Sequence, residues 1–191
     1  MAYNPQDHYF KMAKKDGFLA RSAYKLTEIQ KKYKVIRSGD KVLDLGCAPG
    51  SWSQVSLQLV GAKGLVEGFD LKPITLTAPN GRFFVRDVFE LQPEELLGFP
   101  YDVVISDMAP NTTGIVFTDQ ARSEDLCRKV LELCEKLLKP GGNMAMKFFQ
   151  GGGAKVLEML VRKQFKEVKH LKPLATRKES KEIFIIGLGR K

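Results

Sequence analysis

The segment Val42-Leu43-Asp44-Leu45-Gly46-Cys47-Ala48-Pro49-Gly50 leads from an apolar run into a turn with glycines at positions 46 and 50. This is not the G-x-G-x-x-G of a dinucleotide fold, so pyrophosphate is not the expected ligand. Gly46 lets a ligand approach the backbone closely. Ala48, Pro49 and Gly50 then turn sharply into a helix whose free amides suit a carboxylate, as the amino-acid end of a ligand would offer. Twenty residues after Gly50, Asp70 stands where an acidic side chain grips both hydroxyls of an adenosine ribose. Asp87 is placed to accept from an adenine amino group. Either aspartate alone reads equally well as a loop cap, but glycine loop and acids together point to an adenosine-bearing amino acid. Trp52, the only tryptophan, falls just inside the helix after the loop, where packing under that ligand and filling the core are both open.

These residues need a frame. Apolar residues at 23, 26, 29 and 33 predict a helix from Ser22, its expected cap, to about Tyr33. Short buried strands follow at Lys41 to Leu45, Leu65 to Phe69, Arg82 to Val85 and Asp102 to Ser106, with a helix to about Val60 after the first. A long helix over about Asp119 to Leu138 stops at Pro140-Gly141-Gly142. A fifth strand, Asn143 to Met146, runs into Lys147. A helix over about Ala154 to Phe165 precedes two final strands, about Lys166 to Leu171 and Lys181 to Leu188. Strands alternating with helices predict an α/β, Rossmann-like and mainly parallel sheet, whose ligands sit beyond the carboxyl ends of the strands. The last two strands have no room for a crossover helix and should pair antiparallel. The final strand then runs backward and brings Glu182 to the edge that carries Asp70, Asp107 and Lys147.

At 191 residues the chain fits one domain over residues 1–191, with a basic N-terminal segment and helix leading into it. Its net charge of +9 is unevenly spread. Residues 1–41 carry +6 and residues 155–191 carry +7, while the stretch between them carries −4. Two basic lobes around an acidic centre suit a polyanion held at both ends, with Lys11, Lys14, Lys15, Lys31, Arg177 and Lys178 as expected contacts. Apolar runs fall short of a membrane span, and the N-terminus has charges where a signal peptide is apolar. A cytoplasmic monomer is expected, without membrane association. The three cysteines lack metal-ligand spacing, so no metal site is expected. Cys127 and Cys134, seven apart on a predicted helix, read as core. Few exposed aromatics are expected, which leaves base stacking unsupported.

Leu43 to Gln54, Ser106-Asp107-Met108-Ala109-Pro110-Asn111 and Lys147-Phe148-Phe149-Gln150-Gly151 together resemble the FtsJ/RrmJ family of ribose 2′-O-methyltransferases. The likeness runs from Arg21-Ser22-Ala23-Tyr24-Lys25-Leu26 to Glu182-Ile183-Phe184 and the terminal Gly189-Arg190-Lys191. Such a resemblance implies S-adenosyl-L-methionine as cofactor, held by Gly50, Trp52, Asp70, Asp87 and Asp107. It also implies a catalytic tetrad of Lys25, Asp107, Lys147 and Glu182. The expected substrate is RNA, foremost a uridine of large-subunit ribosomal RNA, with transfer RNA or another RNA as the rival. The loop departs from the family's more usual Ala-Ala and Gly at Cys47-Ala48 and Ser51, all small residues.

The implied chemistry stands on its own terms. A ribose hydroxyl is a poor nucleophile, so methyl transfer needs alignment and an exit for the hydroxyl proton. Lys147 can serve as general base or as an orienting cation; the base reading is preferred, with Asp107 and Glu182 as orienters and Lys25 as electrostatic partner. A nicotinamide oxidoreductase on the same sheet is the rival enzyme class, disfavoured by the missing third glycine.

Overall fold

The computed structural model describes residues 8–93, 96–110, 113–177 and 179–191. Its elements are α1 (His8–Lys15), α2 (Ala23–Tyr33), β1 (Lys41–Leu45), α3 (Ser51–Val60), β2 (Leu65–Asp70), β3 (Gly81–Val85), β4 (Tyr101–Ser106), α4 (Val116–Leu137), β5 (Leu138–Phe149), α5 (Ala154–Gln164), β6 (Phe165–Leu171) and β7 (Glu182–Arg190). The apolar runs of β1, β2 and β4 are buried along nearly their whole length, as strands covered by helices on both faces must be. The seven strands lie in the order β3-β2-β1-β4-β5-β7-β6. The first five are parallel; β7 runs antiparallel between β5 and β6. The sheet reverses between β1 and β4, and that crevice is where ligands of such sheets bind.

Two cores sandwich the sheet. On one face Leu26, Ile29, Val42, Val55, Ile105 and Phe184 pack beneath α2 and α3. On the other, Leu43, Val104, Leu133, Met144 and Ile185 pack against α4 and α5, with Cys127 and Cys134 among them. No described helix is long and apolar enough to cross a membrane.

The structure departs from the sequence reading in several places. Residues 8–15 form a helix, α1, whose Lys11, Lys14 and Lys15 are exposed. Ser22 precedes α2 without capping it; its hydroxyl instead meets the Ser51 hydroxyl at 2.6 Å, tying α2 to α3. The long helix starts three residues early and ends at Leu137, before the proline-glycine run. Pro140-Gly141-Gly142 belongs to β5, where Gly141 takes a φ of 81° and the register with β4 shifts between Tyr101 and Val103. Phe10, Phe84, Phe89, Phe99 and Phe117 are exposed, so the expected scarcity of surface aromatics does not hold. Asn111 and Lys178 lie outside the described residues.

Candidate active site

At the carboxyl end of β1 the chain turns away through Gly46 at φ 79° and enters α3 through Gly50 at φ 110°. Both angles belong to glycine, and the turn opens a cavity of 320 Å³ lined by Gly46, Ala48, Asp70, Asp87 and Asp107. A Cβ at Gly46 would overlap the Met108 side chain, so the backbone itself forms this wall. Met108, Phe89 and Leu126 supply the apolar surface. Met108 falls in the Ser106–Asn111 segment, but Phe89 and Leu126 do not stand out in sequence, because the turn after β3 and the helix α4 bring them to the crevice only in the fold.

Asp70 holds the site together as well as facing it. Its Oδ2 accepts from the Ala48 amide at 2.9 Å and its Oδ1 from the Lys72 amide at 2.8 Å. A carboxylate has about four acceptor positions, so two remain for ribose hydroxyls. The Asp87 Oδ1 accepts from the Phe89 amide and caps a short turn at Val88–Glu90, so the loop-cap reading holds for one of its oxygens. Pro49, Gly50 and Trp52 do not line the cavity. Trp52 is 2 % exposed, stacks on Phe184 and donates from Nε1 to the Ser22 carbonyl at 2.9 Å. Beneath the loop, burial pushes the Asp44 carboxyl up to about 7, with Asp107 and Asp70 adding to the rise and the Ser53 hydrogen bond opposing it.

Lys25, Asp107, Lys147 and Glu182 converge at one edge of the sheet. Lys147 donates from Nζ to the Asp107 carbonyl at 2.5 Å and lies 3.0 Å from Asp107 Oδ1. Lys25 Nζ stands 3.9 Å from that same oxygen and 2.5 Å from Glu182 Oε1. Charges therefore alternate in a row: Glu182, Lys25, Asp107, Lys147. The expected division of labour shifts, since Asp107 holds Lys147 while Glu182 holds Lys25. Burial works to raise the Glu182 carboxyl, but the charge and hydrogen bond of Lys25, with Lys147 and Arg21, outweigh it and keep Glu182 below the ordinary range. Lys25 also sits 5.7 Å over the Phe184 ring, on which Trp52 stacks. Trp52 thus braces the tetrad. Asp107 Oδ1 is buried between two ammonium groups, Lys147 Nζ at 3.0 Å and Lys25 Nζ at 3.9 Å. Asp107 also lines the cavity, so the tetrad and the cavity share one residue.

The model of the FtsJ-like methyltransferase family matches residues 18–190 of this chain. The chain belongs to that family. Its methyl donor is therefore S-adenosyl-L-methionine, and the nicotinamide reading falls away. The FtsJ-like domain is 46% identical over its full length to "Ribosomal RNA large subunit methyltransferase E" of Bdellovibrio bacteriovorus, all of which is covered. A protein of the same name from Desulfatibacillum aliphaticivorans is 49% identical, with 97% of this chain and 91% of that one aligned. A Plasmodium falciparum crystal structure named for a ribosomal RNA methyltransferase matches at a TM-score of 0.80 and 26% identity, covering 91% of this chain and 98% of its own. Aeropyrum pernix fibrillarin, solved with S-adenosyl-L-methionine, shares the fold at a TM-score of 0.62 and 19% identity, over 87% of this chain and 76% of that one.

The cavity fits that cofactor: a glycine wall that only backbone can form, aspartates spaced along one rim, and apolar surface between them. Asp70→Ala is expected to weaken S-adenosyl-L-methionine binding by about 1 to 3 kcal/mol, the scale of hydrogen bonds to a charged group. Titration calorimetry checks this, and an unchanged affinity would remove Asp70 from the site.

Proposed function

We propose that this methyltransferase places a methyl group on a ribose 2′-hydroxyl of large-subunit ribosomal RNA, a uridine being the expected nucleotide, and acts as a monomer in the cytoplasm. The observation that carries the reading is the row of four alternating charges abutting the cofactor cavity through Asp107. A site for acidic substrates would not spend two lysines on two carboxylates; a hydroxyl that must lose a proton needs an amine held in a fixed pose. When bound, S-adenosyl-L-methionine supplies an electrophilic methyl group. Lys147, 9 % exposed and oriented by both the carbonyl and the carboxylate of Asp107, would as the neutral amine accept the hydroxyl proton while the ribose oxygen bonds to the methyl carbon and the donor's carbon–sulfur bond breaks. Lys25, anchored by Glu182, places its ammonium 3.9 Å from the same Asp107 oxygen. The 2′-hydroxyl is a group that RNA has and DNA lacks, and the names of the relatives point to the large subunit.

The protein should transfer labelled methyl to large ribosomal subunits from cells lacking it, at one mapped ribose, and affinity should fall steeply with salt. Each phosphate neutralised contributes a log–log slope of roughly −0.7 to −0.9, and the charge of +6 and +7 at the chain ends predicts several. Methylation of transfer RNA in place of the subunit would overturn the substrate assignment. A flat salt response would make the basic lobes solvated surface.

A further inference from the structure

Two openings of opposite chemistry flank the stretch that leads into Glu182. One is lined by Arg21, Lys25, Arg177, Ser180 and Glu182, three cations to one carboxylate. Arg21 is fixed there by donating from Nη2 to the Ala175 carbonyl at 2.5 Å. The other is a groove between the start of α4 and the end of β5, walled by Val116, Gln120, Phe149 and Lys181. Phe149 lies directly opposite Glu182 in the β5–β7 ladder, so the groove begins one residue pair from the catalytic edge, about 5 Å away.

Ile115, Val116 and Phe117 form a run of exposed apolar residues at the lip of this groove, with Phe117 80 % exposed. Single exposed apolar residues are ordinary; three in succession beside a reacting centre are not. Their position is specified. The Asp119 carboxylate accepts from the Thr113 amide at 2.7 Å, the Thr113 hydroxyl at 2.9 Å and the Gly114 amide at 3.2 Å, which pins the turn that presents them. Gln120 in turn donates to the Gln150 carbonyl at 2.9 Å and ties the start of α4 to the strand end.

We propose that this groove seats the nucleobase of the nucleotide being methylated. A nucleotide whose ribose reaches Lys147 carries a phosphate on one side and a base on the other. The cationic opening suits the phosphate. The groove, with apolar carbon at Val116 and Phe149, polar groups at Asp119, Gln120, Ser180 and Lys181, and the exposed Phe117 next to Val116, suits a flat ring with hydrogen-bonding edges. The inference rests on the RNA reading of the tetrad and adds to it where the base lies. A ribosomal protein is the other occupant that such a patch can take, and the test separates the two.

Val116→Ser/Phe117→Ser alters exposed side chains outside the tetrad and the cofactor cavity. With hypomethylated large subunits as substrate, this variant should show a KM for the subunit raised about tenfold, the scale of one lost base stack. Its kcat, cofactor affinity and salt slope should stay near wild type. A photoreactive benzophenone side chain installed in place of Phe117 should crosslink to the methylated nucleotide or its immediate neighbour, read as a reverse-transcription stop. An unchanged KM, or a crosslink to protein or to distant RNA, would overturn the groove assignment. Failure of the wild-type protein to methylate subunits would instead overturn the proposed function.

Discussion

Lys147→Ala should lose methyl transfer by roughly 10²- to 10⁴-fold, the range of a positioned acid–base group, while cofactor and RNA affinities stay close to wild type. On the proposed mechanism the loss belongs in single-turnover rate, because there the amine acts on the reacting hydroxyl and not on the ground-state complex. Lys147→Arg decides between base and cation. A guanidinium keeps the positive charge but cannot give up its proton near neutral pH, so an inactive arginine variant assigns Lys147 as the base and a substantially active one makes it an orienting cation. For a base, the wild-type rate rises with pH until the amine is neutral, then levels. Glu182 does not confuse that profile, because its carboxyl is held below the ordinary range and stays ionised throughout. Lys25→Ala should be milder, since Lys25 touches Glu182 and Asp107 and reaches the chemistry through them. A Lys147→Ala enzyme with near-normal single-turnover rate would remove the residue from the mechanism.

Gly46→Ala should abolish useful cofactor binding and lower the melting temperature. At φ 79° a side chain costs about 1 to 2 kcal/mol. The added Cβ also overlaps Met108 Cγ and lies 3.2 Å from Met108 Cα, so the backbone turn after Asp107 must move. Overpacking of this kind costs about 1 to 3 kcal/mol and here displaces a residue shared by cavity and tetrad. Gly39→Ala is the control: its φ is 85°, but a Cβ there meets nothing within 4 Å. It should lose stability through backbone strain alone and keep cofactor affinity. Equal cofactor affinities in the two variants, measured by calorimetry beside thermal melts, would show that Met108 yields without moving Asp107.

The sheet was legible because its strands are short apolar runs separated by turn residues, and the backward final strand followed from the lack of a crossover between residues 171 and 181. The convergence of Asp70, Asp107, Lys147 and Glu182 at one edge could therefore be read before any coordinates. What could not be read depends on tertiary contact. Trp52 follows the glycine loop, but which way its ring faces is decided by Phe184, 132 positions away, and by the Ser22 carbonyl. Pro140-Gly141-Gly142 looks like a helix terminator because of its local chemistry; Leu138 and Asn143 pair with β4 on either side of it and carry it along as an irregularity within β5. Phe117 has no periodicity that would mark it as exposed. Its setting comes from the three hydrogen bonds to Asp119.

The placement of β7 between β5 and β6 also bears on how the site is assembled. The carboxylate that holds Lys25 comes from residue 182 of 191, and the pair spans 157 positions of sequence. A contact of such long range closes a large loop, whose entropy must be offset before the contact rewards it. On the proposed mechanism the charge row is complete only when β7 is seated between β5 and β6, so turnover in this enzyme reports that the sheet is closed.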